Sequence, residues 1–583
     1  MSNKTELTRR SFLTGAGVIA ASVGAASLAG CAPQAQESLS ETGGNADGAT
    51  AAAADGAPTW LGAEPEVDES ALVETVDCDV LVVGAGTAGC FAVCSAAEEG
   101  AKTVLIEKYA EGASSGIRDD IGAVGTKIQA EVNSTLDVEL LARCFQHTSG
   151  FRQNQRVANV WFNESGETYD WYADRVTEAG FKASIRQAKP SDDDQYTPYG
   201  IPSFDTCHYV QWKEGVTPLE NVGPSNNRGC ETLINYARGL GADCRFETTM
   251  TKLIKEGDRV VGAYAETTDG PIRINAAKGV ILCTGGYSMN PDMMSALQPE
   301  IVRVAPAIKE SMPGATGDGI KAGLWAGGVL DLAHACSCAP EQIIPEGVAY
   351  EDIDPMALGF SMCGMLPFLR VNTEGKRFCN EDDLFDSTSH ELAYQKDPYF
   401  ITLYDSNWAD YAQKFNVYHA YRFTPYDNGA LQLFGDTEFV QASIDEMVES
   451  GTVIKADTLD ELAERLDIPA DTFKAEVARY NELVAAGKDT DFYKPAFRLT
   501  PFDTPPFYAE RNLQDVYHTM DGLIIDEDMR VLDEVNEPIE GLYAAGDVSS
   551  CFLGATYLGV AAGIASGRSI TFGRHAGRVA AQS

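Results

Sequence analysis

The chain has 583 residues, long enough for two domains and a large buried core. Its 86 acidic and 44 basic residues leave a formal charge of -42, which repels phosphate backbones and argues against a nucleic-acid partner. With 44% hydrophobic and 22% charged residues the composition is that of a globular protein, and the excess charge reads as a solvated acidic surface.

The N-terminus reads as an address. Thr8-Arg9-Arg10-Ser11-Phe12-Leu13 is a twin-arginine pattern. The apolar run from Gly15 to Ala29 is too short and too rich in glycine for a good membrane span. Leu28-Ala29-Gly30-Cys31 has the form of a lipoprotein cleavage site. Residues 1–31 are therefore expected to direct export, with a lipid on Cys31 and the protein in the cell envelope. Residues 32–74, rich in Ala, Gly, Glu, Asp and Ser without a hydrophobic period, are expected to form a flexible acidic linker.

Order is expected from Cys78 onward. Asp79-Val80-Leu81-Val82-Val83 is a buried-strand run. A glycine turn and a small-residue helix to about Glu99 follow, then a second strand, Thr103-Val104-Leu105-Ile106, completing a βαβ opening. Gly279 to Gly286 is another strand ending in glycines, and Gly541-Leu542-Tyr543-Ala544-Ala545-Gly546-Asp547 repeats that form. The segment between them, with a helical stretch from Leu459 to Leu483 and several Pro-bearing loops, reads as an insertion. The expected organisation is α/β: a Rossmann-type domain at 75–332 that resumes at 515–583, with an α+β capping domain inserted at 333–514.

Fourteen cysteines raise the question of disulfides or metal. Cys78, Cys90, Cys94 and Cys283 fall in apolar patterns and read as core; Cys336-Ser337-Cys338 is the tightest pair. No Cys-x-x-Cys-His motif occurs, and no spacing reads as an iron–sulfur or zinc set. His147, His208, His334, His390, His419 and His575 show no metal spacing either.

Gly84-Ala85-Gly86-Thr87-Ala88-Gly89 fits G-x-G-x-x-G directly between a strand and a helix. In such a turn the first glycine permits the bend, the second admits a pyrophosphate, and the third lets helix and strand pack closely. Glu107 ends the next strand, where an acid accepts hydrogen bonds from ribose hydroxyls. No second glycine turn with its own acid follows, so no separate NAD(P)H half is expected; Gly314 to Gly319 is glycine-rich but follows no clear strand. Instead Asp547 is placed to hold the ribityl hydroxyls of a flavin, and a helix expected over Ala561 to Ser569 to face its pyrimidine edge.

At these residues the chain resembles the FAD-dependent fumarate reductase and succinate dehydrogenase family, in its flavocytochrome-like branch but without the haem domain. The likeness runs from Asp79 to about Arg578. It includes Glu107-Lys108, Cys283-Thr284-Gly285-Gly286-Tyr287, Gly317-Asp318-Gly319, Asn372 to Phe378 with Asn380-Glu381, and His518-Thr519-Met520-Asp521-Gly522. The resemblance implies FAD held by the glycine turn, Glu107, Lys108, Ser114, Ser115, Gly116, Thr284, Gly285, Asp318, Asp547, Ala561 and Ala562. It implies a mobile cap, with substrate between cap and flavin. It also implies reduction of an activated C=C bond by hydride from flavin N5 and a proton from the protein.

The departures concern the substrate. Phe385 stands where the family carries its arginine acid, and Tyr557 where a second arginine clamps a carboxylate. Ser337-Cys338-Ala339-Pro340 replaces a Gln-x-His-Pro region, and Phe360-Ser361 a Thr-Glu pair. An arginine–carboxylate fork has no equivalent in Phe or Tyr, so fumarate is not the expected substrate. Phe360, Phe385, Tyr557 and His518 suit a larger, less charged molecule, aromatic or steroid-like. Trp60-Leu61-Gly62, Gly116 to Val124, Tyr287 to Asn290 and Ser295 to Pro299 are similar to the cardiac glycoside reductase-like group of gut Actinobacteria.

His518, Tyr557 and Arg118 are the candidate catalytic residues: a group to polarise a carbonyl, a proton donor, and a loop cation beside the flavin. Without a haem domain, and outside the cytoplasm, electrons are expected from a separate membrane or periplasmic donor. Two other readings stay open: a ketosteroid-like dehydrogenase, and a flavin-binding lipoprotein without catalysis.

Overall fold

The computed structural model describes residues 58–114, 116–117, 120–186, 204–211, 227–305, 314–353, 358–361, 363–383, 386–412, 415, 437–559 and 561–583. Strand β1 (Glu74–Val83) leads through a glycine turn into helix α1 (Thr87–Glu98) and strand β2 (Thr103–Ile106). β1 pairs in parallel with β2 on one side and with β3 (Gly270–Leu282) on the other. Val80, Leu81 and Val82 are fully buried, as a central parallel strand covered on both faces requires. The sheet continues from β2 to Asp243–Arg245, and its other edge is formed by two later strands described below. Strands Thr249–Glu256 and Arg259–Thr267 form an antiparallel extension that joins the sheet at β3.

The antiparallel second sheet is the insertion. Its order is Gly359–Phe360, β4 (Cys336–Ile343), β5 (Phe507–Thr519), Phe400–Tyr404, Leu369–Val371, with Ile454–Ala456 also on β5. β5 is 13 residues long and spans the junction expected near residue 514: Tyr508 pairs with Tyr404 in the cap, and Thr519 with Cys336 beside the first domain. β6 (Pro538–Ala544) then returns to the first sheet in parallel with β3, flanked by Arg530–Leu532 at the edge. The last helix, α2 (Ile564–Gln582), packs on α1. Gly573 and Gly577 abut the backbone of Ala88 and Ala92 so closely that a Cβ on either glycine would clash.

The architecture is the expected one, a Rossmann-type α/β domain with a mixed α+β cap. Three local expectations change. The last part of the linker, residues 58–73, is not a free chain: Trp60 is buried, and Glu69 ties Tyr264 and Arg273 to it. The helical stretch from Leu459 to Leu483 is two helices, Leu459–Leu466 and Ala470–Ala486, because Asp467 caps the first in the left-handed region and Pro469 precedes the second. The final helix starts at Ile564, after Gly563 at φ +81°, rather than at Ala561.

The motif Asn372 to Glu381 is a scaffold inside the cap. Asn372 Oδ1 accepts the N–H groups of Glu374 and Lys376, closing a turn at Gly375. Arg377 donates two bonds to Glu381, both 2.8 Å, and one of 2.9 Å to Asp489. Lys494 completes this fully buried knot, 3.5 Å from Glu381. All thirteen described cysteines are free, twelve of them buried, Cys336 and Cys338 included.

Candidate active site

The carboxyl ends of β1, β2, β3 and β6 are in register, Val83 beside Ile106 and Leu282, and Leu282 beside Ala544. They open into a cleft, the place where ligands bind in an open parallel sheet. The local chemistry starts at Gly84, whose φ of +102° and contact with the Cys283 carbonyl leave no room for a side chain. A Cβ on Gly89 would collide with the carbonyl oxygen of Gly84, so this glycine sets the distance between helix and strand. Gly86 caps α1 without a side chain, and Gly84, Gly86, Thr87 and Ala88 line the cleft at the helix N-terminus.

Glu107 also lines the cleft, and each of its oxygens is already engaged: Oε2 accepts the N–H of Ala85 at 2.7 Å and Oε1 that of Tyr109 at 3.0 Å. It locks the glycine turn to the end of β2 and keeps a lone pair on each oxygen for a hydroxyl donor. Lys108 bonds the carbonyl of Gly314, Thr316 Oγ1 and Asp318 Oδ2 at 2.8–3.1 Å. The glycine-rich segment at 314–319 is thereby pulled into the lining through Gly314, Ala315 and Asp318. Ser114 Oγ donates to Ala85, and Thr87 Oγ1 to Gly116, which folds that loop over the turn. Thr284 Oγ1, buried at the cleft wall, has no hydrogen-bond partner among the described residues.

The far end of the cleft joins the two domains. His518 and Thr519, at the end of β5, line it together with Gly546 and Asp547 past the end of β6. His518 Nδ1 lies 3.1 Å from the Thr519 carbonyl and 3.5 Å from Asp547 Oδ1, so Nδ1 carries the proton. Tyr557 meets the His518 ring edge to face at 5.9 Å. Burial pushes the Tyr557 phenol up, and the carboxylate of Asp120 adds to this; the Ala565 N–H and the Arg568 guanidinium pull it back. Asp547 is ion-paired with Arg568 of α2.

Asp386 ties the cap to this end. Its buried carboxylate accepts the N–H of Cys338 in β4 at 3.0 Å and that of Tyr557 at 3.2 Å. Burial pushes it up to about 6, against the pull of His390 and these two N–H groups. Ser361 donates to buried Glu510 of β5, which Tyr404 also bonds at 2.9 Å. Thus a carboxylate reaches Ser361 from another strand. Behind the cleft wall, Asp521 accepts from Tyr287 at 2.8 and 2.9 Å and from His334 at 2.7 Å.

The structure gathers Gly84, Gly86, Thr87, Ala88, Glu107 and Lys108 in one lining with Ser114, Gly116, Thr284, Gly285, Asp318, His518 and Asp547. Ala85 and Gly89 serve the turn from behind it. Ala561 and Ala562 do not line the cleft; since α2 starts after Gly563, Ala565, Ser566 and Ser569 do. Ser115, Arg118 and Phe385 lie outside the described residues, and of Phe360 only the backbone, in strand Gly359–Phe360, is described. Sequence reasoning missed Arg568 and Asp386. The only signal for Arg568 was an arginine within a helix of small residues.

The fit to a flavin dinucleotide rests on this lining: a glycine cradle at a helix N-terminus, a carboxylate with spare lone pairs, an unpartnered threonine hydroxyl and a carboxylate at the far end. Known proteins agree. Over 551 residues the chain is 29% identical to the fumarate reductase (cytochrome) of Shewanella frigidimarina, covering 90% of this chain and 79% of that protein. It is 27% identical over 518 residues to the vinyl phenol reductase of Lactiplantibacillus plantarum, covering 86% and 96%. A match of 31% identity to the NADH:acrylate oxidoreductase of Vibrio harveyi takes in 57% of this chain but spans only 30% of that protein. In fold, it superimposes on the 3-ketosteroid-Δ4-(5α)-dehydrogenase of Rhodococcus jostii RHA1 with a TM-score of 0.64 at 20% identity, covering 88% and 99%. The FAD binding domain family matches residues 79–563, and the chain belongs to that family, with FAD as its cofactor.

Proposed function

We propose that this protein is an FAD-dependent reductase of activated C=C bonds in a small, aromatic or steroid-like substrate that is not a dicarboxylate. The observation that carries this reading is the pairing of His518 with Asp547 in the lining of the FAD cleft, where the cap meets the cofactor domain, with Tyr557 against the His518 ring outside that lining. The names of the relatives, fumarate reductase, vinyl phenol reductase and NADH:acrylate oxidoreductase, support chemistry at a C=C bond, while the exclusion of a dicarboxylate rests on Phe385 and Tyr557 standing where the family carries arginines. FAD, when bound and reduced, supplies the hydride. His518, with its Nδ1 proton held by Thr519 and Asp547, presents Nε2 as a hydrogen-bond acceptor that orients a donor group of the substrate against the flavin. Tyr557 donates the proton that completes the CH–CH product. We further propose that the chain is exported by its twin-arginine segment, anchored at Cys31, and reduced by a separate envelope donor.

The test is anaerobic reoxidation. The purified protein is reduced photochemically and mixed with enones, steroids, vinyl phenols, phenylpropenoids and fumarate, with flavin absorbance as the readout. Rapid reoxidation by an aromatic or steroid-like class, with fumarate inert, is expected. Rapid reoxidation by fumarate sinks the substrate assignment. Oxidised flavin bleached by a saturated ketosteroid, with no reoxidation by the unsaturated panel, reverses the direction to a dehydrogenase.

A further inference from the structure

Arg568 lies in the second turn of α2, among small residues, and its side chain is completely buried. Ala565, Ser566 and Ser569 of the same helix line the FAD cleft, so Arg568 stands in the layer directly behind that wall. A buried guanidinium costs several kcal/mol unless it is paired. Here one terminal nitrogen, Nη2, pairs with Asp547 Oδ1, while Nε and Nη1 have no hydrogen-bond partner among the described residues. The pairing is incomplete, so it is a poor device for stability alone. The same Asp547 oxygen lies 3.5 Å from His518 Nδ1, and His518 meets Tyr557 edge to face. One carboxylate oxygen therefore connects a cation on the C-terminal helix to the polar groups at the far end of the cleft.

We propose that Arg568 is a positioning residue of this site: it clamps Asp547, and through that carboxylate it sets the orientation of His518 and the charge of the cleft wall. This deepens the proposed function, on which it rests. A ligand that gains an electron pair is opposed by a bare carboxylate in the wall facing it, and Arg568 cancels that opposition. The guanidinium also acts on the Tyr557 phenol, on the side that favours loss of its proton.

The experiment compares holoenzyme carrying R568M, R568K, D547N and the double change R568M/D547N. FAD content, flavin midpoint potential, and kcat and KM for a substrate from the panel are measured. R568M is expected to keep its flavin, to move the potential in the negative direction, and to lose at least tenfold in kcat with KM within about threefold, an interaction realised beyond simple binding. R568K is expected to restore the potential and most of kcat. The potential of the double variant is expected to return towards the wild-type value, because it lacks the bare carboxylate as well as the cation that cancels it. A wild-type potential in R568M, or a double variant whose potential stays as negative as that of R568M, overturns the proposal. Should R568M not accumulate as folded protein, R568Q replaces it with the same readouts. If no substrate on the panel reoxidises the flavin, the function assigned above fails, while the potentials still decide the role of Arg568.

Discussion

Asp547 Oδ1 lies 3.5 Å from His518 Nδ1, although Asp547 follows the last strand of the FAD-binding sheet and His518 ends the longest strand of the cap sheet. The contact makes the far end of the cleft a joint product of two sheets. It also selects one tautomer of His518, with the proton on Nδ1.

That tautomer gives the first prediction. H518A is expected to lower kcat by about 10²-fold, the usual size for a lost acid–base group, while FAD absorbance per protein stays unchanged. Y557F is expected to lose a similar factor, and its kcat should no longer respond to D2O as the wild type does. Steady-state kinetics with the substrate found by reoxidation check both. Full activity in Y557F would assign the proton to another donor.

The glycine turn gives a sharper outcome. G89A places a methyl group against the carbonyl oxygen of Gly84, inside the unit that must present its N–H groups to a pyrophosphate. The variant is expected to purify without flavin. G100A, at a loop glycine with φ +82° and no atom within 4 Å, is the control: it retains FAD and loses only about 1 kcal/mol of stability from backbone strain. Flavin absorbance and denaturant titration separate the two effects.

Within the cap, Arg377 is buried with Glu381 and Asp489 on it. Removing the arginine leaves two carboxylates without their shared cation. R377M is expected to cost about 3–5 kcal/mol in cap stability, the range for breaking a buried pair from one side. Asp489 adds a pH signature. Burial raises its carboxyl, but Arg377 and the N–H groups of Phe492 and Asp491 lower it further, to about 2. Its contribution is therefore complete above the usual value of 3.8 and is lost as pH falls through 2, and R377M should remove most of that dependence.

His208 provides a second pH prediction with a different window. It is fully buried, Nδ1 lying 2.8 Å from the Thr206 carbonyl and 3.2 Å from that of Ile121, and Nε2 2.9 Å from Thr126 Oγ1. Nδ1 must carry the proton, so Nε2 accepts from the threonine. Burial lowers its pKa from 6.5 to about 4, against these carbonyls. The unfolded chain binds a proton more readily, so stability is complete above 6.5 and falls as pH drops from 6.5 to 4. The loss amounts to roughly 3 kcal/mol. Denaturant titrations at pH 7.5 and 4.5 are expected to differ by about this amount in the wild type, and by much less in H208Q.

The sequence by itself determined the elements whose signal is local. A run of apolar residues, a glycine at left-handed φ and an acid at the next strand end follow from backbone geometry and phosphate chemistry. They placed Gly84 to Gly89, Glu107 and Asp547 in the cleft lining or directly behind it. The same locality made Leu459 to Leu483 look like one helix, because a single left-handed Asp467 and a following proline weigh little against a long hydrophobic period. Only the tertiary structure decided what surrounds His518. Arg568 comes from the last helix, Asp386 from the cap and Asp547 from the first sheet, and nothing in their spacing along the chain encodes those meetings. The physical reason is that charge pairing and desolvation depend on distance in space, and burial alone turns Arg568 from a residue in a small-residue helix into a partner of Asp547.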